Sequence, residues 1–163
     1  MSAMAAYESG LRAGGGCWIT GRSGARVELP VWRWLGVADD SDHALLDRCD
    51  GPTLDVGCGP GRLTLGLAQR GIETLGIDIS REAVRLAIDR GANAECHDVF
   101  DKIPGGGGWS YVILADGNIG IGGAPVRLLK RARELITADG TVIVEVEPRG
   151  RQLRRRRMSR RHA

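Results

Sequence analysis

Three glycines at alternate positions, Gly57, Gly59 and Gly61, follow a short apolar run that ends in an acid, so that Leu54 to Arg62 reads LDVGCGPGR. A tight turn that takes φ > 0 and lets a ligand touch its backbone has no room for a Cβ, so this spacing predicts a strand, a glycine turn and a helix start. The helix opening after Pro60 would aim its first N–H groups at that ligand, which favours something anionic or electron-rich. A dinucleotide site is the obvious rival. Its Gly-x-Gly-x-x-Gly fingerprint, counted from Gly57, places Arg62 where the third glycine belongs, and the match is instead to Asp-x-Gly-x-Gly-x-Gly starting at Asp55.

LDVGCGPGR resembles motif I of the class I S-adenosylmethionine-dependent methyltransferases. The resemblance implies that the turn, with Gly57, Cys58, Gly59 and Gly61, lies under the methionine part of the cofactor and that Asp55 helps to hold that part there. It implies further that Asp78, closing the next apolar run ETLGIDI, accepts from both ribose hydroxyls, with Ile79 beside it. Asp98 and Val99, at the end of ANAECHDV, fit the family's acid and apolar pair against the adenine ring. His97 is adjacent and stays open between a general base and a side chain that points away.

WSYVILAD, residues 109–116, runs into DGNIGIGG at the family's motif IV position, nearest the departing methyl group. Asp116 and Asn118 are the polar, candidate catalytic residues on the acceptor side, against the alternative of a turn with no catalytic role. The string is not Asn-Pro-Pro-Tyr, so methylation of DNA bases loses support, and it is similar to one in a group of bacterial class I methyltransferases. Methyl transfer from a sulfonium needs no dedicated acid; its rate comes mainly from holding acceptor and methyl at about 3 to 3.5 Å. The acceptor expected is a small molecule.

The elements that would position these residues follow from the pattern. The 163 residues, 42% hydrophobic and 26% charged, fit about one globular domain. Met1 to Gly16 shows little apolar periodicity and ends in three glycines, which predicts a flexible arm. A domain over 17–148 then begins with Trp18, Trp32 and Trp34, either a lid over the cofactor or packing on the sheet. Asp39 to Cys49 predicts a short helix capped by Ser41 or Asp42, with Ala44, Leu45 and Cys49 on one side. A helix through Leu63, Leu65, Leu67 and Ala68 ends at Gly71. Ser80 caps the next, with Ala83, Val84, Ala87 and Ile88 inward. The helix Pro125 to Ile136 offers Val126, Leu128, Leu129, Ala132 and Leu135 to the core, and Asp139 and Gly140 turn into a fifth strand over 141–146. Five strands alternating with helices predict an α/β fold, a doubly wound, mostly parallel Rossmann-like sheet. The resemblance gives its order as 3-2-1-4-5.

The family normally continues into strands 6 and 7, whereas this sequence continues as RGRQLRRRRMSRRHA. That stretch has no apolar stripe, so the resemblance covers roughly residues 30–148 and the domain is expected to be incomplete. Residues 149–163 hold eight arginines and no acid, which leaves 15 basic against 20 acidic side chains, or −5, in residues 1–148. Such a tail reads as a solvated disordered tail, as an arm for nucleic-acid phosphates through Arg151 to Arg161, or as the out-of-frame end of a truncated product. The alternative function is thus an inactive methyltransferase-like protein that binds nucleic acid. Cys17, Cys49, Cys58 and Cys96 form no close pair, so no metal is expected and all four are expected to be buried thiols. No apolar run is long enough for a membrane span and Met1 to Gly16 lacks signal-peptide character, so the expected location is the cytoplasm.

Overall fold

The structure is a computed structural model and describes residues 3–20, 24 and 26–146. They fall into two compact units, one up to Gly36 and one from Val37 to Val146.

In the first unit, α1 (Ala3–Ala13) occupies most of the stretch expected to be an arm. β1 (Trp18–Thr20) then pairs antiparallel with β2 (Arg26–Glu28), and α2 (Val31–Leu35) follows Pro30. Leu11, Cys17 and Val31 form its small core. Gly10 makes that core possible, because a Cβ there would stand 2.6 Å from the Cys17 Cβ. Trp34 packs edge-on to Tyr7 at 5.7 Å, while Trp32 is 71% exposed.

The second unit opens with α3 (Asp40–Leu46). Its cap is Asp39, two residues before the first of the expected ones: the Asp39 carboxylate accepts the N–H groups of Ser41 and Asp42, and the Asp42 carboxylate accepts that of Asp39. Asp42 and Leu46 are its buried positions, Cys49 is buried beyond its end, and Ala44 faces out. The chain then runs β3 (Thr53–Val56), α4 (Arg62–Ala68), β4 (Thr74–Asp78), α5 (Arg81–Asp89), β5 (Ala94–Cys96) and β6 (Trp109–Leu114). A 3-10 segment, Asn118–Gly123, leads into α6 (Pro125–Leu135) and β7 (Ile136–Val144).

All five strands of this sheet are parallel, in the order β5-β4-β3-β6-β7, which is the expected 3-2-1-4-5. Leu54, Val56, Leu75, Ile77, Val112 and Leu114 pack on one face with Leu128, Ala132 and Leu135 of α6. On the other, Ile113 and Ala115 meet Leu46, Leu63 and Leu67. A third cluster joins Cys58 to Val84, Ala87, Ala92 and Ala94. The expected turn at Asp139 and Gly140 lies within β7: Trp109 pairs with Ile136 but Tyr111 already with Thr141, so residues 137–140 bulge out.

Several expected core positions face outward. Val126 (69% exposed) and Leu129 (41%) flank the α6 stripe, and Ile88 (54%) is outside that of α5. Apolar residues along a helix can fill a stripe broader than the face the sheet covers, and the sheet covers only the i, i+4, i+7 set of α6. Two substitutions on that helix should therefore differ sharply. In urea melts, Leu128→Ala is expected to cost about 2 to 5 kcal/mol and Val126→Ala less than about 0.5.

Candidate cofactor and acceptor site

The sheet changes winding direction at β3: from there the chain runs outward through β4 to β5, then returns to place β6 on the other side. A crevice at the carboxyl ends of the strands opens at such a switch point. The glycine turn lies there, between β3 and α4, with Gly57 at φ 75°, Gly59 at 54° and Gly61 at 85°.

All three take positive φ, and two of them also leave room for a neighbour. A Cβ on Gly57 would stand 2.6 Å from the Asn118 amide nitrogen, and one on Gly61 would stand 3.0 Å from the Cβ atoms of both Ala87 and Ala92. Gly61 thus serves helix packing, and Gly57 makes room for a side chain from the turn after β6. Gly59 donates its N–H to Asp78 Oδ2 at 2.9 Å.

The turn's donors are largely committed. Gly57 and Cys58 both donate to the Ile77 carbonyl, Gly59 to Asp78, and Gly61 to the Cys58 carbonyl. The expectation of N–H groups aimed at a ligand concerned the start of the helix after Pro60, and of these four positions only Gly61 falls there. Cys58 turns its side chain into the third core cluster, where burial pushes its thiol well above the ordinary range. What it can offer a ligand is backbone.

Carboxylates gather at the strand ends instead. Asp55, 2% exposed, accepts the Thr64 hydroxyl at 2.7 Å. Burial raises its carboxyl to about 6, with Asp116 and Asp78 adding to the rise and Thr64 and Arg62 opposing it. Asp78 Oδ1 accepts the Ser80 N–H at 2.8 Å, so this acid ties the glycine turn to the start of α5. Ser80 caps α5 through its hydroxyl, as its sequence position predicts. Ile79, the next residue after Asp78, is 58% exposed, an apolar surface at the end of β4.

Of the expected adenine pair, Asp98 is exposed and accepts the Phe100 N–H at 2.9 Å, whereas Val99 is 4% exposed and belongs to the main core. His97 makes a surface contact with Glu95, Nε2 to Oε2 at 2.8 Å. Cys96 is exposed, so the expectation of four buried thiols holds for three.

On the acceptor side, Asn118 donates Nδ2 to the carbonyls of Val56 and Gly57, at 2.9 and 3.0 Å. Asp116 adopts φ 51°, the only non-glycine residue at positive φ among those described, and donates its N–H to Glu145 Oε2 at 2.7 Å. Its own Oδ2 accepts from Arg62 Nη2 at 2.5 Å. Arg62 is only 3% exposed, and its other end meets Asp42 of α3. Sequence reasoning used Arg62 merely to exclude a dinucleotide fingerprint and missed this Asp42–Arg62–Asp116 triad, whose Asp42 and Arg62 members are buried. A charged residue at the first position of a helix with a leucine-rich buried face was the one available signal.

Among the described residues no group of three or more His, Cys, Asp or Glu could hold a metal ion, and no helix is long and apolar enough to cross a membrane. Arg151 to Arg161, where the nucleic-acid arm was expected, lie outside the described residues.

A doubly wound parallel sheet with a glycine turn and flanking carboxylates at its switch point defines a nucleoside-cofactor α/β domain. The chain belongs to the methyltransferase-domain family, whose sequence model matches residues 53–140, more than half of it. Over 34 residues, 21% of this chain, it is 59% identical to the ubiquinone biosynthesis O-methyltransferase of Azoarcus sp. (strain BH72), covering 15% of that protein. Over 81 residues it is 37% identical to the trans-aconitate 2-methyltransferase of Rhodococcus jostii (strain RHA1), covering 44% of this chain and 32% of that one. The chain thus spans a third or less of these relatives' length. Its fold is similar to a SAM-dependent methyltransferase from Bacteroides fragilis crystallised with S-adenosyl-L-homocysteine, with TM-score 0.71 and 23% identity over 85% of this chain and 61% of that one. It is also similar to a TehB-like SAM-dependent methyltransferase from Corynebacterium glutamicum, with TM-score 0.59 and 24% identity over 69% of this chain and 67% of that one.

The displaced Asp55 carboxyl has a consequence for stability. Folding raises it from 3.8 to about 6, so the folded chain holds this proton more tightly than the unfolded one. The contribution is fully present below pH 3.8 and is lost as pH rises through about 6, on the order of 3 kcal/mol in all. Denaturant melts between those pH values should show this fall, and Asp55→Asn should remove it.

Proposed function

We propose that this protein transfers a methyl group from S-adenosylmethionine to a small-molecule acceptor. The observation that carries the reading is Asp78 at the tip of β4, which anchors Gly59 of the glycine turn through the same carboxylate that would meet the ribose hydroxyls. A carboxylate oxygen accepts more than one hydrogen bond, so the contacts to Gly59 and Ser80 leave it capacity for a diol. The exposed Ile79 side chain beside it supplies an apolar surface for a base, and Asp98, exposed at the end of the next strand, supplies an acceptor for an amino group. The buried Val99 side chain supports that region from beneath.

Asp55 stands behind the turn, and above about pH 6 its carboxylate favours the positive charges of the methionine end. S-adenosylmethionine, when bound, supplies an electrophilic methyl on a sulfonium that already carries its leaving group. The chain's part is to hold donor and acceptor in line, worth more than any proton transfer in such a displacement. Asp116 is the acid best placed to face the acceptor, while Asn118 holds the turn on which Asp116 sits to the cofactor turn.

Isothermal titration with S-adenosylhomocysteine tests this directly. The wild-type chain should bind, and Asp78→Ala should weaken binding by about tenfold or more while still melting cooperatively, the loss expected of a hydrogen bond to a charged group. Equal affinity in the two proteins would remove Asp78 from the site and the reading with it.

A further inference from the structure

The triad centred on Arg62 joins three pieces that are distant in sequence: α3 through Asp42, α4 through Arg62 itself, and the turn after β6 through Asp116. Its geometry is more specific than charge neutralisation requires. Asp42 already serves as the reciprocal half of the α3 cap, accepting the Asp39 N–H at 2.9 Å, so the carboxylate that receives Arg62 is itself fixed. Arg62 then reaches Asp116 at the one described position where an L side chain adopts positive φ. That conformation costs a residue with a Cβ, less for Asp than for most, and neighbours that bond both its side chain and its backbone fix it there. Two neighbours do so here: Arg62 on the side chain, and Glu145 on the backbone N–H. Two residues further on, Asn118 carries the same turn onto the carbonyls of Val56 and Gly57.

We infer that Arg62 is a positioning residue for methyl transfer: by holding Asp116 in its left-handed conformation it locks the acceptor-side turn, and through Asn118 the glycine turn, into one rigid unit. The functional half of this inference rests on the function proposed above. A side chain 3% exposed has almost no surface for a ligand to touch, so Arg62 can act on cofactor affinity through the turn or through its charge on Asp55, and only the first is recovered by a glycine at 116. The buried Asp42 end fixes the guanidinium, and the half-open Asp116 end is where its position matters.

The test compares the wild-type chain with Arg62→Met and with the double variant Arg62→Met, Asp116→Gly. Amide hydrogen exchange is followed across residues 116–120 without ligand, and S-adenosylhomocysteine affinity is measured by titration. Arg62→Met should accelerate exchange in that segment and weaken binding by about tenfold, a typical coupling between sites. Adding Asp116→Gly should recover most of both losses, because glycine takes the positive φ without being held. Leu128→Ala, a truncation in the α6 core, is the control: it lowers the melting temperature without changing the affinity of the folded protein. Should Arg62→Met fail to melt cooperatively, Arg62→Lys replaces it, keeping a charge but not a planar fork that reaches two carboxylates. Unchanged exchange and affinity in a folded Arg62 variant, or no recovery with Asp116→Gly, would overturn the inference. Absence of binding by the wild-type chain would overturn the proposed function instead, and the exchange data would still decide whether Arg62 holds the turn.

Discussion

A Cβ built on Gly57 would come within 2.6 Å of the Asn118 side chain, one on Gly61 within 3.0 Å of Ala87 and Ala92, and one on Gly76 within 2.7 Å of the Thr64 hydroxyl. These three glycines bracket the passage from β3 to α4, and in each case a neighbouring element occupies the space a side chain would need. The close approach brings β6's following turn, α5 and α4 against the same few backbone atoms. Interiors this dense do not yield by small amounts, so the strand order and the turn geometry are set together. The residues placed around the turn inherit that rigidity. Asp78 can reach Gly59, and Asn118 can reach the Val56 and Gly57 carbonyls, only because the glycines bring their backbone close.

Charge is arranged on the same frame. Asp55 lies in β3, Asp78 ends β4 and Asp116 follows β6, three adjacent parallel strands, and Asp116 and Asp78 add to the rise of the Asp55 carboxyl. Arg62 brings a positive charge to this group, facing Asp116 and Asp42 at once. A buried ion pair gains little over an apolar substitute, but a buried charge with a missing partner is costly. The triad is therefore better understood as a specificity device than as a source of stability. It leaves Asp55 only partly relieved by Arg62's positive charge, which is why burial prevails and its carboxyl rises to about 6.

Sequence legibility followed the range of the interactions. LDVGCGPGR announced a strand, a turn and a helix because the φ requirement of a glycine is local, and Ser80 announced the α5 cap because its hydroxyl bonds only three residues ahead. Strand alternation with helices sufficed for a parallel sheet. The misses lie where contacts span the chain. Arg62 pairs with acids 20 and 54 positions away, and Asn118 bonds backbone more than 60 positions away; no spacing rule encodes either. Val99 lies past the end of its strand at Cys96, where no strand period applies, and the chain turns its side chain into the core. The N-terminal helix was hidden for another reason: short apolar residues and the glycines that follow gave α1 no stripe strong enough to read.

The commitment of the turn's donors changes what its glycines are for. A turn that kept its N–H groups free would recognise a ligand by hydrogen bonding and would prefer a phosphate or a carboxylate. Here Gly57, Cys58, Gly59 and Gly61 all donate within the protein, so those positions offer a ligand shape rather than hydrogen bonds. Polar recognition passes to the acids at the strand ends. Carboxylates suit hydroxyls, amino groups and positive charge, and they oppose added negative charge. A dinucleotide brings a pyrophosphate to this same crevice in related sheets, where free backbone donors receive it. In this chain those four turn donors are committed and the rim is acidic, an environment matched to a cofactor that carries a sulfonium and no phosphate.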